Sequence, residues 1–126
     1  EADFVIFTCS LNKMNFQMFN DNTIKKCKRG VHVINVARGQ LIDETALISA
    51  LEQQHIAAAA LDVFENEPEV NDKLLELKNT VLVPHIGSAS IQTREKMIDM
   101  AVTSVELALS GEIPEYLVNP KALNSR

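Results

Sequence analysis

Three segments of the chain carry side chains suited to reducing a carbonyl group. Arg38 follows Ile34-Asn35-Val36-Ala37 and precedes Gly39; Glu67 stands between Asn66 and Pro68; His85 stands between Pro84 and Ile86. A guanidinium is planar, always charged and able to hold a carboxylate through two parallel bonds. Arg38 therefore suits the grip on a keto acid and the polarisation of its ketone. Imidazole exchanges protons near neutrality, which suits His85 to a general-acid step. A carboxylate beside such a ring orients it and favours its charged form. Glu65, Glu67 and Glu69 are all close enough in sequence to serve, and local sequence does not choose among them. Each residue alone has a plainer reading: a solvated loop arginine, a structural histidine, a loop acid before proline. Their joint placement has to decide.

Placement depends on the elements that carry them. Residues 2–8 predict a strand whose apolar side chains are consecutive, as when both faces of a parallel sheet are covered. Asp21 and Asn22 can cap a helix running to Arg29, closed by Gly30. Residues 31–36 predict a second strand, and Asp43 then caps a helix with Leu47, Ile48 and Leu51 on one face. Residues 56–63 contain four alanines, which favour helix by propensity. The run is short and ends in Leu61-Asp62-Val63-Phe64 before a loop, so a strand packed closely under helices is predicted instead. Residues 65–79 predict a loop with one helical turn near Leu74 and Leu75. Residues 80–83 predict a short strand stopped by Pro84. A long helix is expected from Ile91 to Leu109, with Met97, Ala101, Val105 and Leu109 in one stripe that Ile98 and Val102 widen. Gly111 ends it, and the tail with Pro114, Val118 and Pro120 is extended.

Strands alternating with helices predict a parallel α/β sheet with right-handed crossovers. Ligands of such sheets sit beyond the carboxyl ends of the strands. Arg38, Asp62, Glu67 and His85 all fall at or just past predicted strand ends, which supports one shared site.

Bulk properties narrow the classes. A chain of 126 residues is at most one domain, and 46% hydrophobic residues are enough for a soluble globular core. The net charge of −5 argues against nucleic acid, because no basic stripe is present to neutralise phosphates. The dense basic run at residues 25–29 reads as a solvated helix C-terminus, where cations suit the dipole. Cys9 and Cys27 do not make a disulfide framework, and no Cys/His cluster has zinc spacing, so no metal site is expected. A reducing, cytoplasmic setting fits best. No signal peptide and no bilayer-length apolar run is present.

Taken in order, the three segments resemble the D-isomer-specific 2-hydroxyacid dehydrogenases, and the likeness runs over nearly the whole chain. Residues 34–47 follow that family's signature almost residue for residue. The resemblance implies an α/β fold: the C-terminal half of a Rossmann-like, parallel-sheet NAD(P)-binding domain plus a long C-terminal helix. It implies Arg38, Glu67 and His85 as catalytic residues, since the family's acid directly precedes the proline. It places Cys9, Val36, Ala37, Arg38, Asp62, His85, Gly87 and Ser88 at the cofactor, NAD or NADP, with Asp62 at the nicotinamide carboxamide. Asp43 and Glu44 match the family motif too, but helix capping explains them and they are assigned no chemistry. Pro84-His85-Ile86-Gly87-Ser88-Ala89-Ser90 followed by Thr93-Arg94-Glu95 is most like the glyoxylate and hydroxypyruvate reductases. The implied reaction is hydride transfer to a small 2-keto acid, giving a D-2-hydroxy acid. Alternatives are a 3-phosphoglycerate or other D-2-hydroxyacid dehydrogenase, and a non-catalytic dehydrogenase-like binding module. A homodimer is implied for a full-length protein. The first strand departs from the pattern: Thr8, Ser10 and Asn12 stand where many members have His, Pro and Thr.

No Gly-x-Gly-x-x-Gly occurs; Gly30, Gly39, Gly87 and Gly111 are the only glycines. The resemblance places the pyrophosphate-binding turn, the cofactor selector and most of the substrate domain upstream of Ala2. Residues 1–110 are thus expected to form the second half of a cofactor domain with an open sheet edge. Residues 111–126 are expected to return toward the substrate domain. By itself the chain is expected to bind dinucleotide weakly or not at all.

Overall fold

The structure is a computed structural model that describes residues 1–121; residues 122–126 of the expected tail lie outside the described residues. Four strands form one sheet in sequence order: β1 (Phe4–Phe7), β2 (Val31–Asn35), β3 (Ile56–Leu61) and β4 (Thr80–Leu82). Every neighbouring pair is parallel. Three helices connect them: α1 (Asp21–Ile24), α2 (Glu44–Glu52) and α3 (Asp72–Glu76). The chain divides into a first unit, Glu1–Gly87, and a second from Ser88 onward that holds α4 (Ile91–Leu109).

Right-handed crossovers that always step the same way put successive helices on one face of a sheet. Here α2 packs on β3, α1 on α2 and α3 on β4. The covered face presents Phe7, Val31, Val33, Ala59 and Leu61 to Leu47, Leu51, Ile24 and Leu74 of the helices, and these form one apolar core. The alanines of residues 57–60 do form a strand, as expected, and of them Ala59 is buried in the core.

The other face corrects the expectation that both sides of the sheet are covered. Phe4, Ile6 and Val81 are 58%, 56% and 64% exposed. Phe4 pairs in register with His32, Ile6 with Ile34, and Ala60 with Val81, so these side chains share one face. The helices of the first unit pack on the opposite face.

The first helix is also shorter than expected. It is one turn capped by Asn20, whose side chain accepts from the amides of Asn22 and Thr23 while Thr23 Oγ1 accepts from the Asn20 amide. It does not reach Arg29. Lys25 pairs with Asp21, Lys28 with Asp3, and Arg29 donates to the Gln53 carbonyl, so the basic run serves three separate contacts. Gly30, expected to close that helix, takes a left-handed φ of 85° in the turn entering β2.

In the second unit α4 begins and ends where expected and is capped by Ser90, which accepts from the Thr93 amide. None of its side chains is buried. Among the described residues no helix is long and apolar enough to cross a membrane.

Candidate active site

Because all four strands are parallel, the segments after β2, β3 and β4 leave the same end of the sheet. Arg38 follows β2, Glu67 follows β3, and His85 follows β4. The loops they sit on are shaped by buried polar groups.

The Arg38 loop is built by Asn35, which is fully buried at the end of β2. Its side-chain oxygen accepts from the Ala37 amide (3.1 Å) and its Nδ2 donates to the Arg38 carbonyl (2.9 Å). A short 3₁₀ turn, Gly39–Leu41, follows. Gly39 has to be glycine: a Cβ there would lie 1.9 Å from the Phe64 carbonyl carbon. The Arg38 loop thus rests directly on the loop that carries Glu67. Arg38 is exposed, and its Nη1 donates to the Ala37 carbonyl (2.6 Å).

Glu67 Oε2 lies 2.8 Å from His85 Nδ1, and Glu67 Oε1 accepts from the Phe64 amide at 3.0 Å. Burial pushes the Glu67 carboxyl up. The His85 hydrogen bond, the Phe64 amide and the charges of His85 and Arg38 outweigh that and hold it below the ordinary glutamate value. With Nδ1 engaged by an anionic acceptor, proton donation falls to Nε2.

His85 sits at φ 53°, a left-handed conformation that a non-glycine residue holds only when its surroundings enforce it. The enforcement comes from Asp62, 5% exposed at the end of β3. Its Oδ1 accepts from the Ile86 amide (2.7 Å) and its Oδ2 from the Gly87 amide (2.8 Å). A Cβ at Gly87 would come within 2.9 Å of that carboxylate. Asp62 itself donates its amide to the Asn35 carbonyl, which ties the β3 and β2 ends together.

The other expected residues are placed as follows. Val36 and Cys9 are exposed, beyond β2 and β1; Ala37 is buried; Ser88 belongs to the second unit. Two buried polar residues were not among the expected site residues: Asn35, which ends β2, and Glu44, which opens α2 and was read as part of a helix cap. A polar residue inside the apolar run of β2 was the available signal for Asn35. Beside Glu67 and His85 lies a largely apolar cleft of about 340 Å³ that Phe64, Pro68, Leu75, Leu82 and Pro84 help to line.

Comparison with known proteins gives a consistent picture. Residues 1–87 match the model of the D-isomer specific 2-hydroxyacid dehydrogenase NAD binding domain. A glyoxylate reductase of Pyrococcus furiosus is 43% identical over 126 residues, which is all of this chain and 38% of that protein. A glyoxylate/hydroxypyruvate reductase B of Yersinia pestis is 44% identical over 124 residues, 98% of this chain and 38% of that protein. Among solved structures, the NADPH-dependent glyoxylate/hydroxypyruvate reductase of Sinorhizobium meliloti, in complex with NADP and malonate, superposes with a TM-score of 0.82 at 38% identity. That match covers 86% of this chain and 34% of that one. The chain thus spans about 38% of the length of the curated relatives it matches.

Proposed function

The chain belongs to the D-isomer-specific 2-hydroxyacid dehydrogenases, and from that premise we propose that it supplies the catalytic residues of an NAD(P)H-dependent reductase of glyoxylate, hydroxypyruvate or a close 2-keto acid. The observation that carries the reading is the Glu67–His85 pair at 2.8 Å on the strand-end side where Arg38 also lies. Relatives named glyoxylate reductase and glyoxylate/hydroxypyruvate reductase support the substrate class.

The strand-end residues suit a nicotinamide. Val36 offers an exposed apolar side chain beside buried Ala37, next to polar loop groups. Cys9, Val36, Ala37, Arg38, Asp62, His85, Gly87 and Ser88 are the residues proposed to hold NAD or NADP. Asp62 does so alongside its two amide bonds, since each carboxylate oxygen has more than one acceptor site. When bound, the cofactor supplies hydride to the carbonyl carbon. Arg38 grips the substrate carboxylate and stabilises the negative charge that develops on the carbonyl oxygen. His85, oriented by Glu67, gives that oxygen a proton from Nε2. A homodimer and a cytoplasmic setting belong to the same proposal, the latter supported by two free cysteines.

The test is His85→Ala introduced into the complete gene. Turnover of glyoxylate is expected to fall by about 10²- to 10⁴-fold, the usual contribution of a positioned acid. The dissociation constant of the cofactor should change far less than turnover does. Unchanged turnover would remove the general-acid role.

A further inference from the structure

We propose that Glu44 is a positioning residue that locks the loop carrying Arg38 to the loop carrying Glu67. The inference rests on the reductase reading above, because that reading gives the spacing of the two loops its importance.

Glu44 is the first residue of α2 and is 6% exposed. Capping does not account for it, because Asp43 already caps the helix by accepting from the Ala46 amide at 3.1 Å. The Glu44 carboxylate instead reaches across to the next strand's loop. Its Oε1 accepts from the Glu65 amide at 2.5 Å, and the Glu65 side chain returns the contact, with Oε2 accepting from the Glu44 amide at 3.3 Å. Two further bonds brace the same point. Gln40 Nε2 donates to the Glu65 carbonyl (2.9 Å) and Gln17 Nε2 to Glu65 Oε1 (2.8 Å). The Gln17 amide in turn donates to the Gln40 carbonyl (2.8 Å). Segments that follow β1, β2 and β3 are thereby sewn together two residues before Glu67. The arrangement also shows why Glu65 is not the partner of His85: its carboxylate is committed to Gln17 and Glu44.

A buried carboxylate is an expensive way to hold a loop. Burial and the nearby Glu65 charge push the Glu44 carboxyl above the ordinary range, against the Glu65 amide bond. An apolar residue would fill the space at lower energy but would leave the Glu65 amide without this acceptor. What the carboxylate adds to the Gly39–Phe64 contact and the Gln40 bond is a buried tie from the start of α2 to the loop that carries Glu67. Sub-ångström placement of that kind governs rates when reacting groups sit on different segments.

The test follows the Glu67 carboxyl by ¹³C NMR titration of the whole chain. In the wild type it is expected to titrate below the ordinary glutamate value, held there by the His85 and Phe64 contacts. His85→Ala removes the strongest group holding it there and should raise it, which sets the scale. Glu44→Ala should raise it by at least half as much, because Arg38, the Phe64 amide and His85 no longer converge on it. Glu44→Gln, whose amide oxygen can still accept from Glu65, should bring it most of the way back. If Glu44→Ala leaves Glu67 unmoved while His85→Ala raises it, Glu44 is merely structural and the proposal fails alone. A Glu44→Gln rise as large as that of Glu44→Ala also overturns it. If His85→Ala leaves Glu67 unmoved, the acid pair itself fails, and the functional reading goes with it. Should Glu44→Ala not fold, Glu44→Asp withdraws the carboxylate by one methylene and meets the same two outcomes.

Discussion

The two faces of the sheet are built from similar residues and meet different surroundings. Phe7, Val33 and Leu61 point to helices and are buried; Phe4, Ile6 and Val81 point the other way and are more than half exposed. Pattern alone does not separate them: β1 and β3 are apolar throughout, and the two polar residues of β2, His32 and Asn35, fall one on each face. A consecutive apolar strand encodes the need for cover on both faces. It does not encode which segment provides that cover. On one face the chain's own α1, α2 and α3 do so. On the other, apolar side chains lie open in the first unit, in a patch of the kind that normally marks a contact surface.

The largest expected effect breaks the covered face. Leu61 is 3% exposed, pairs in register with Asn35 and Leu82, and belongs to the apolar core. Leu61→Ala should lower stability by about 2–5 kcal/mol, through lost burial and the cavity left behind. Urea denaturation of the whole chain checks it. A loss under about 1 kcal/mol would mean that this face is no better packed than the open one.

A smaller effect is expected from the one polar residue on the covered side of β2. Asn35→Ala leaves the Ala37 amide buried without its acceptor and frees the Arg38 carbonyl. An orphaned buried donor costs about 1–3 kcal/mol. Amide hydrogen exchange should accelerate at Ala37 while the β3 core amides keep their protection. Uniform acceleration throughout would show Asn35 to be an ordinary core residue rather than the builder of the Arg38 loop.

Sequence reading recovered the framework and missed the bracing, for identifiable reasons. The order of elements, the 57–60 alanine strand and both ends of α4 follow from apolar runs, segment length and the turn residues that bound them, which are local. The Arg38, Glu67 and His85 placements follow from strand ends plus the family resemblance. What failed were features made by distant partners. α1 stops at Ile24, and Lys28 and Arg29, expected inside it, instead reach Asp3 and the Gln53 carbonyl, partners distant in sequence. Glu44 looked like part of a cap because Asp43 precedes it; only its bond to Glu65 shows otherwise. The Asp62 clamp on Ile86 and Gly87 joins residues from two strand ends, and no spacing rule points to it. The open face was invisible for the same reason: burial is a property of neighbours, not of the strand.

The smallest effect sharpens the comparison from the open side. Ile6→Thr keeps a β-branched side chain, so strand preference is nearly unchanged, and it replaces apolar surface with a hydroxyl. Ile6 faces away from the helices and pairs with half-buried Ile34. With the face open, the substitution should alter stability by no more than about 0.5 kcal/mol, the usual range for surface positions. The measurement is a denaturation midpoint taken at several protein concentrations. A concentration-independent change within that range keeps the two faces distinct. A loss of about 2 kcal/mol that grows with concentration would mean that Ile6 is buried in solution by another molecule. The contrast between the faces would then describe where the cover comes from, not whether it exists.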